Sequence, residues 1–182
     1  MKRFCSILSL LILCTPFIAF GQSGLTYAPE STIVVDGKSN QSDWKVNALE
    51  FSGEVSLESG TPIAATLVIP VVGMKGGRSM IMDRLMRGAF KADENPTLSF
   101  KMGKADAINA NTFDVHGALT MAGVTNPVTI RLTSSKNPAG SFVFTGNLDL
   151  NMKDYEMEPP SAMFGALLTK PEVNIAFNLI LK

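Results

Sequence analysis

The chain carries one histidine, His116, and acid–base chemistry near neutral pH would have to start there. It lies within Thr112–Thr133, TFDVHGALTMAGVTNPVTIRLT, on the strand phase of Asp114 and Thr120. Phe113, Val115, Leu119 and Met121 take the opposite phase. A polar phase faces water, so His116 reads as an exposed strand residue. Cys5 and Cys14 sit in an apolar N-terminal run, and no HxxxH, CxxC or Gly-x-Ser-x-Gly pattern occurs. Asp93-Glu94 and Glu156 with Glu158 have turn and loop surroundings. No catalytic set and no metal-ligand set emerges. Two residues remain as contacts for a ligand's polar end. Trp44 offers an indole N–H, and Arg78 stands at a helix start, where anions are favoured. Arg84 and Arg87 fit the solvated face of that helix.

The elements that would position these residues are strands. Ser31–Asp36 reads as a first strand and Trp44–Leu57 as a long second one, with Leu49, Phe51, Gly53, Val55 and Leu57 on one face. Pro62–Val72 places Ile63, Leu67, Ile69 and Val71 in phase, with Pro70 marking a bulge or an edge. The period then changes. From Ser79 to Phe90, Ile81, Met82, Leu85, Met86 and Ala89 share a helical face, and Asp83 and Arg87 have i,i+4 spacing.

Strands resume at Thr97–Met102 with Leu98 and Phe100, and continue into a hairpin at 112–133. Gly123 supplies its turn, and Asn126-Pro127 is expected to interrupt pairing. Ser141–Met152 carries Phe142, Phe144, Gly146, Leu148 and Leu150 on one face. Beyond Pro159-Pro160, Ser161–Leu168 reads as a short helix capped by Ser161, holding Met163 and Phe164. It would act as a plug or a lid. Val173–Leu181 alternates strictly through Phe177. About eight one-face-apolar strands predict an all-β, extended eight-stranded antiparallel barrel with one inserted helix and a short second helix. A two-sheet sandwich is the alternative, and strand lengths favour the barrel.

Bulk properties narrow the class. Of 182 residues, 1–21 have the layout of a secretory signal peptide: Lys2-Arg3, the apolar run Phe4–Phe20, then Ala19-Phe20-Gly21. That leaves residues 22–182 as one cysteine-free domain, placed in the periplasm or outside the cell. With 14 basic and 16 acidic residues remaining, it shows no electrostatic footprint for nucleic acid or an anionic membrane.

Several segments resemble the YceI-like family of periplasmic, lipocalin-like proteins. They are Asp43-Trp44, Val68-Ile69-Pro70-Val71, MDRLM at 82–86, and Asn95–Phe100. The most specific are GALTMAGVTNPVTI at 117–130 and LNMKDYEMEPP at 150–160. Many relatives place a histidine before the Asp-Trp pair, where this chain has Ser42. The resemblance implies an extended barrel whose lumen holds the tail of a polyisoprenoid, of polyprenyl phosphate or quinone type. No other cofactor is implied.

The residues alone leave a packed core and a ligand cavity both open; the resemblance favours the cavity. Its expected lining is Phe51, Leu67, Ile69, Met82, Leu85, Met86, Phe100, Phe113, Val115, Leu119, Phe142, Phe144, Leu148, Phe164 and Phe177. Trp44 and Arg78 would stand at the mouth. Gly53, Gly117 and Gly146 are expected to leave space in it, and methionines to adapt to a ligand's shape. A homodimer is compatible with this reading. The rivals are a filled barrel that binds a partner through its outer surface and an enzyme acting through His116.

Overall fold

The computed structural model describes residues 24–77, 80–162 and 166–182. The readings of residues 1–21, Arg78 and Phe164 lie outside the described residues. Twelve strand segments and one α-helix follow in order. They are β1 (Leu25–Thr26), β2 (Thr32–Ser39), β3 (Asp43–Ala48), β4 (Glu54–Glu58), β5 (Thr61–Pro70), β6 (Met74–Lys75) and α1 (Met80–Ala89). Then come β7 (Thr97–Asn109), β8 (Thr112–Met121), β9 (Val124–Lys136), β10 (Phe142–Asn151), β11 (Ser161–Ala162) and β12 (Leu167–Ile180).

All pair antiparallel in one curled sheet of order β1-β4-β5-β7-β8-β9-β10-β12-β2-β3-β6, with β11 on β12. Thr26 and Lys182 exchange backbone hydrogen bonds at 3.0 Å, and the Ala28 N–H donates to the Ile180 carbonyl at 2.7 Å. β1 therefore bridges β4 to the end of β12, and the sheet joins back on itself there. β1 and β2 run along β12 as one interrupted strand, and β3 and β4 are two halves of another. Counted across these breaks and leaving aside the two-residue β6 and β11, the segments make eight runs. The interior is apolar because each long strand alternates, placing residues such as Ile33, Ile69, Leu98, Val115, Leu119 and Phe144 inside at under 5% exposure.

Three local expectations are corrected. The strand read over 44–57 breaks at Leu49, which is exposed. Leu49 N–H bonds to the Gly73 carbonyl, whereas Ser52 exchanges bonds with Val68, so the chain changes partners between them. Gly53 follows the step at φ 149°, against the Thr66 carbonyl. Second, the described ends of the predicted helix at 161–168 are strand: Ser161 pairs with Leu168 and Ala162 with Leu167. Two prolines before Ser161 favour extended backbone, and β12 offers an edge to pair with.

Third, Pro127 does not interrupt the hairpin. The β8–β9 ladder runs unbroken from Thr112↔Thr133 to Met121↔Val124. β10 pairs with β9 only over Arg131–Lys136, so Pro127 stands where the other side of β9 has no strand neighbour. The turn is the two-residue kind that fits sheet twist, with Ala122 at φ 49° and Gly123 at φ 85°.

α1 lies over one end of the sheet. Met86 is buried and Met82, Leu85 and Ala89 are half-buried, but Ile81 is exposed. The Asp83 carboxylate accepts the Gly76 N–H at 2.9 Å and faces the Lys75 ammonium at 3.7 Å, while Arg87 Nε donates to the Asp83 carbonyl. Asp83 thus ties the helix start to β6 instead of meeting Arg87 along the helix.

Candidate functional site

Inside the curled sheet lie two apolar cavities that share four wall residues, Val35, Met74, Leu98 and Ile175. The larger, about 120 Å³, is built by strands. Leu67, Ile69, Phe100 and Val115 line it from β5, β7 and β8. Leu119, Phe144, Leu148 and Phe177 complete the predicted part of its wall. The smaller, about 60 Å³, is roofed by α1 and the segment after β10. Six methionines line it: Met74, Met82, Met86, Met121, Met152 and Met157. Trp44 closes one side. Together the two hold on the order of seven methylene-sized groups, at the ~25 Å³ per carbon of a ~150 Å³ cavity that takes up benzene.

Four residues expected in the lumen wall stand elsewhere. Phe51 packs edge-on against Tyr27, with ring centroids 5.8 Å apart, because the break before β4 turns it toward β1. Phe113 is buried against Met102 and Val115, filling the interior near the β7–β8 turn. Phe142 stacks on Phe144 at 6.5 Å, with the Lys136 ammonium 4.7 Å from its ring. Leu85, half-buried on α1, lines neither cavity.

The glycines also differ from expectation, since Gly117 and Gly146 do not leave empty space. A Cβ on Gly117 would fall 2.4 Å from the Phe100 ring, and one on Gly146 2.7 Å from the Phe177 ring. Each glycine seats the aromatic ring of a neighbouring strand, and those rings shape the lumen.

Residues missed by sequence reasoning complete the walls. Ile33 and Val35 come from β2, whose alternation was visible, and Ile130 and Leu132 from β9. Tyr27 lines the larger cavity and donates its hydroxyl to the Thr66 carbonyl at 2.8 Å. Burial pushes its phenol up to about 12. Gly37 is the cross-strand partner of Trp44, and a Cβ there would lie 2.0 Å from the indole Cζ2. The indole therefore rests on bare backbone. The pairing of a small residue with the lone tryptophan was the available signal.

Trp44 and Val173 separate the smaller cavity from an outer groove that includes Asp36, Lys38, Asp43, Lys45, Lys170 and Glu172. The indole Nε1 is closed to water and has no hydrogen-bond partner. The same holds for the hydroxyl of Tyr155, 1% exposed, whose pKa is raised by burial first and by the Asp154 carboxylate second. Tyr155 and Leu148 line a second outer groove, where β9 and β10 splay apart and Asn126 Nδ2 donates to the Asp154 carbonyl at 2.6 Å. Ser42 lies in the β2–β3 turn, bonded to Ser39.

His116 is on the outer face. It contacts Thr129 Oγ1 at 2.9 Å and Asp106 Oδ2 at 3.0 Å, and Asp106 also meets Lys104. The Lys104 hydrogen bond, ahead of that from His116, lowers the Asp106 carboxyl. Alongside, Arg131 grips Asp114 through two 2.8 Å bonds and lowers its carboxyl. This network lines neither cavity, as the polar phase of β8 implies. Among the described residues, no helix is long and apolar enough to cross a membrane, and no cluster of His, Cys, Asp or Glu could hold a metal.

Comparison with known proteins agrees with this geometry. A UPF0312 protein of Pseudomonas putida is 28% identical over 170 residues, covering 84% of this chain and 87% of its own. The crystal structure of BcnA from Burkholderia cenocepacia superposes with a TM-score of 0.73 at 21% identity, over 84% of this chain and 96% of that one. A polyisoprenoid-binding domain from Saccharophagus degradans, implicated in plant cell wall breakdown, gives 0.71 at 17% identity, over 88% and 98%. The model of the YceI-like domain matches residues 28–181, which hold every strand but β1, and the chain belongs to that family.

Proposed function

We propose that the chain is a non-enzymatic binding protein that holds the tail of a polyisoprenoid or similar long-chain lipid in its lumen. The observation that carries this reading is the two-part interior, lined almost wholly by carbon and thioether sulfur and free of charged side chains. Each buried methylene contributes roughly 0.8 kcal/mol. On the order of seven such groups would contribute ~6 kcal/mol, at the low end of the ~4–15 kcal/mol cost of association. Relationship to a fold that includes a polyisoprenoid-binding domain supports the same reading.

Export follows from the signal-like residues 1–21. In the periplasm or outside the cell, such a protein would carry, store or sequester a lipid insoluble in water. The test is native mass spectrometry of the mature protein, purified without detergent, with analysis of its organic extract. A stoichiometric adduct in the polyprenyl mass range is expected. A bare mass, unchanged after incubation with quinone and with polyprenyl phosphate, means the interior is simply core.

A further inference from the structure

We infer that the cargo's polar end is uncharged: a carbonyl or hydroxyl oxygen that accepts the indole N–H of Trp44, in preference to a phosphate. This rests on the lipid-binding reading and narrows it. Among the described residues, no lysine, arginine or histidine lines either inner cavity, and an anion drawn into either would be left unpaired there at low dielectric. The two outer grooves that adjoin them do no better. The groove beside Trp44 sets Lys38, Lys45 and Lys170 against Asp36, Asp43, Asp149 and Glu172. Lys45 is already held by Asp36 at 2.7 Å. Among the described residues, the groove at the β9–β10 splay is lined by Asp149 and Asp154 and by no cation. Lys75, which follows the cavity-lining Met74, faces Asp83 at 3.7 Å. Excess carboxylate repels a phosphate.

What this region offers instead is neutral donors. Trp44 Nε1 is buried without an acceptor, in the wall between the methionine-lined cavity and the groove. A buried N–H left unpaired is costly, so a ligand oxygen reaching it satisfies a group that the protein leaves orphaned. Seating on Gly37 fixes the ring in that wall. The six surrounding thioethers adapt to a bulky neutral end group.

The test compares geranylgeraniol, geranylgeranyl phosphate and squalene on the mature protein, stripped of lipid, at physiological salt and again at low salt. Geranylgeraniol is expected to bind at least about tenfold tighter than the phosphate, with no salt dependence. Trp44→Phe keeps an aromatic ring on Gly37 and removes the N–H. It is expected to cost geranylgeraniol about fivefold more than it costs squalene, the worth of one net hydrogen bond. Phosphate binding equal to or tighter than the alcohol, weakening with salt, overturns the inference while leaving the lipid reading standing. An equal loss for squalene in Trp44→Phe overturns the role of the N–H. Failure of all three ligands to bind overturns the lipid reading itself, and this inference with it.

Discussion

The two cavities are neighbours with four shared wall residues, yet they are made differently. The larger is walled by alternating strand residues, mostly branched aliphatics and aromatics whose rotamers are few and whose rings are seated on Gly117 and Gly146. The smaller draws six methionines from β6, α1, the end of β8 and the turn after β10. One space has its shape fixed by a hydrogen-bonded sheet, and the other has walls that can refit. A binding protein divided this way can select its ligand by tail in the first space and tolerate variety at the end lodged in the second.

Substitutions of matched kind separate the two most sharply. Phe144→Ala, at a site 4% exposed in the strand-built wall, is expected to cost about 3–5 kcal/mol of unfolding free energy in urea. Met121→Ala in the smaller cavity, at a site equally buried, should cost less, about 2 kcal/mol, because neighbouring thioethers refit around the gap. Equal costs would erase the distinction between fixed and adaptable walls. Next in size, Gly37→Ala drives a methyl into the indole, 2.0 Å from Cζ2 and 2.4 Å from Cε2. A loss of about 1–3 kcal/mol is expected. Trp44 is the only tryptophan, so its emission should also move to longer wavelength as the ring is displaced. Unshifted emission would mean that the seat is not tight.

The smallest effect is a pH dependence confined to the larger cavity. The Tyr27 phenol is raised from 10 to about 12, so folding favours its neutral form. Its contribution is complete below pH 10 and is lost as pH rises toward 12, on the order of 1 kcal/mol. Urea titrations across that range should show the decline in the native protein and a flatter profile in Tyr27→Phe.

The same contrast explains what could be read from sequence. Period-two alternation exposed most of the strand-built wall, because pairing in a curled sheet preserves the inward phase; Leu67, Ile69, Phe100, Leu119 and Phe144 follow it directly. It failed at Phe51, where the chain changes partners between β3 and β4 and the phase resets. It misplaced Phe142, whose inward phase ends in stacking on Phe144 at the strand's first residue. The methionine-lined space has no period to read, since its residues come from elements with different geometries. Met152 and Met157 belong to a 3-10 turn and a loop, and only tertiary packing unites them with α1. Nor does alternation distinguish a glycine that opens a void from one that seats a ring; that depends on the neighbouring strand's rotamer.

The position of β12 in the chain carries a kinetic consequence. Its residues pair with β10, β2 and β11, and the residues after it bond to β1, so some partners stand 149 positions apart. The strand that seals the barrel is made after all of its partners. Until it emerges, β2 and β10 each lack one neighbour, and β1 is paired with β4 alone. Contacts this remote in sequence form slowly, and the nascent chain stays unsealed, with its interior open to water, until β12 has been made.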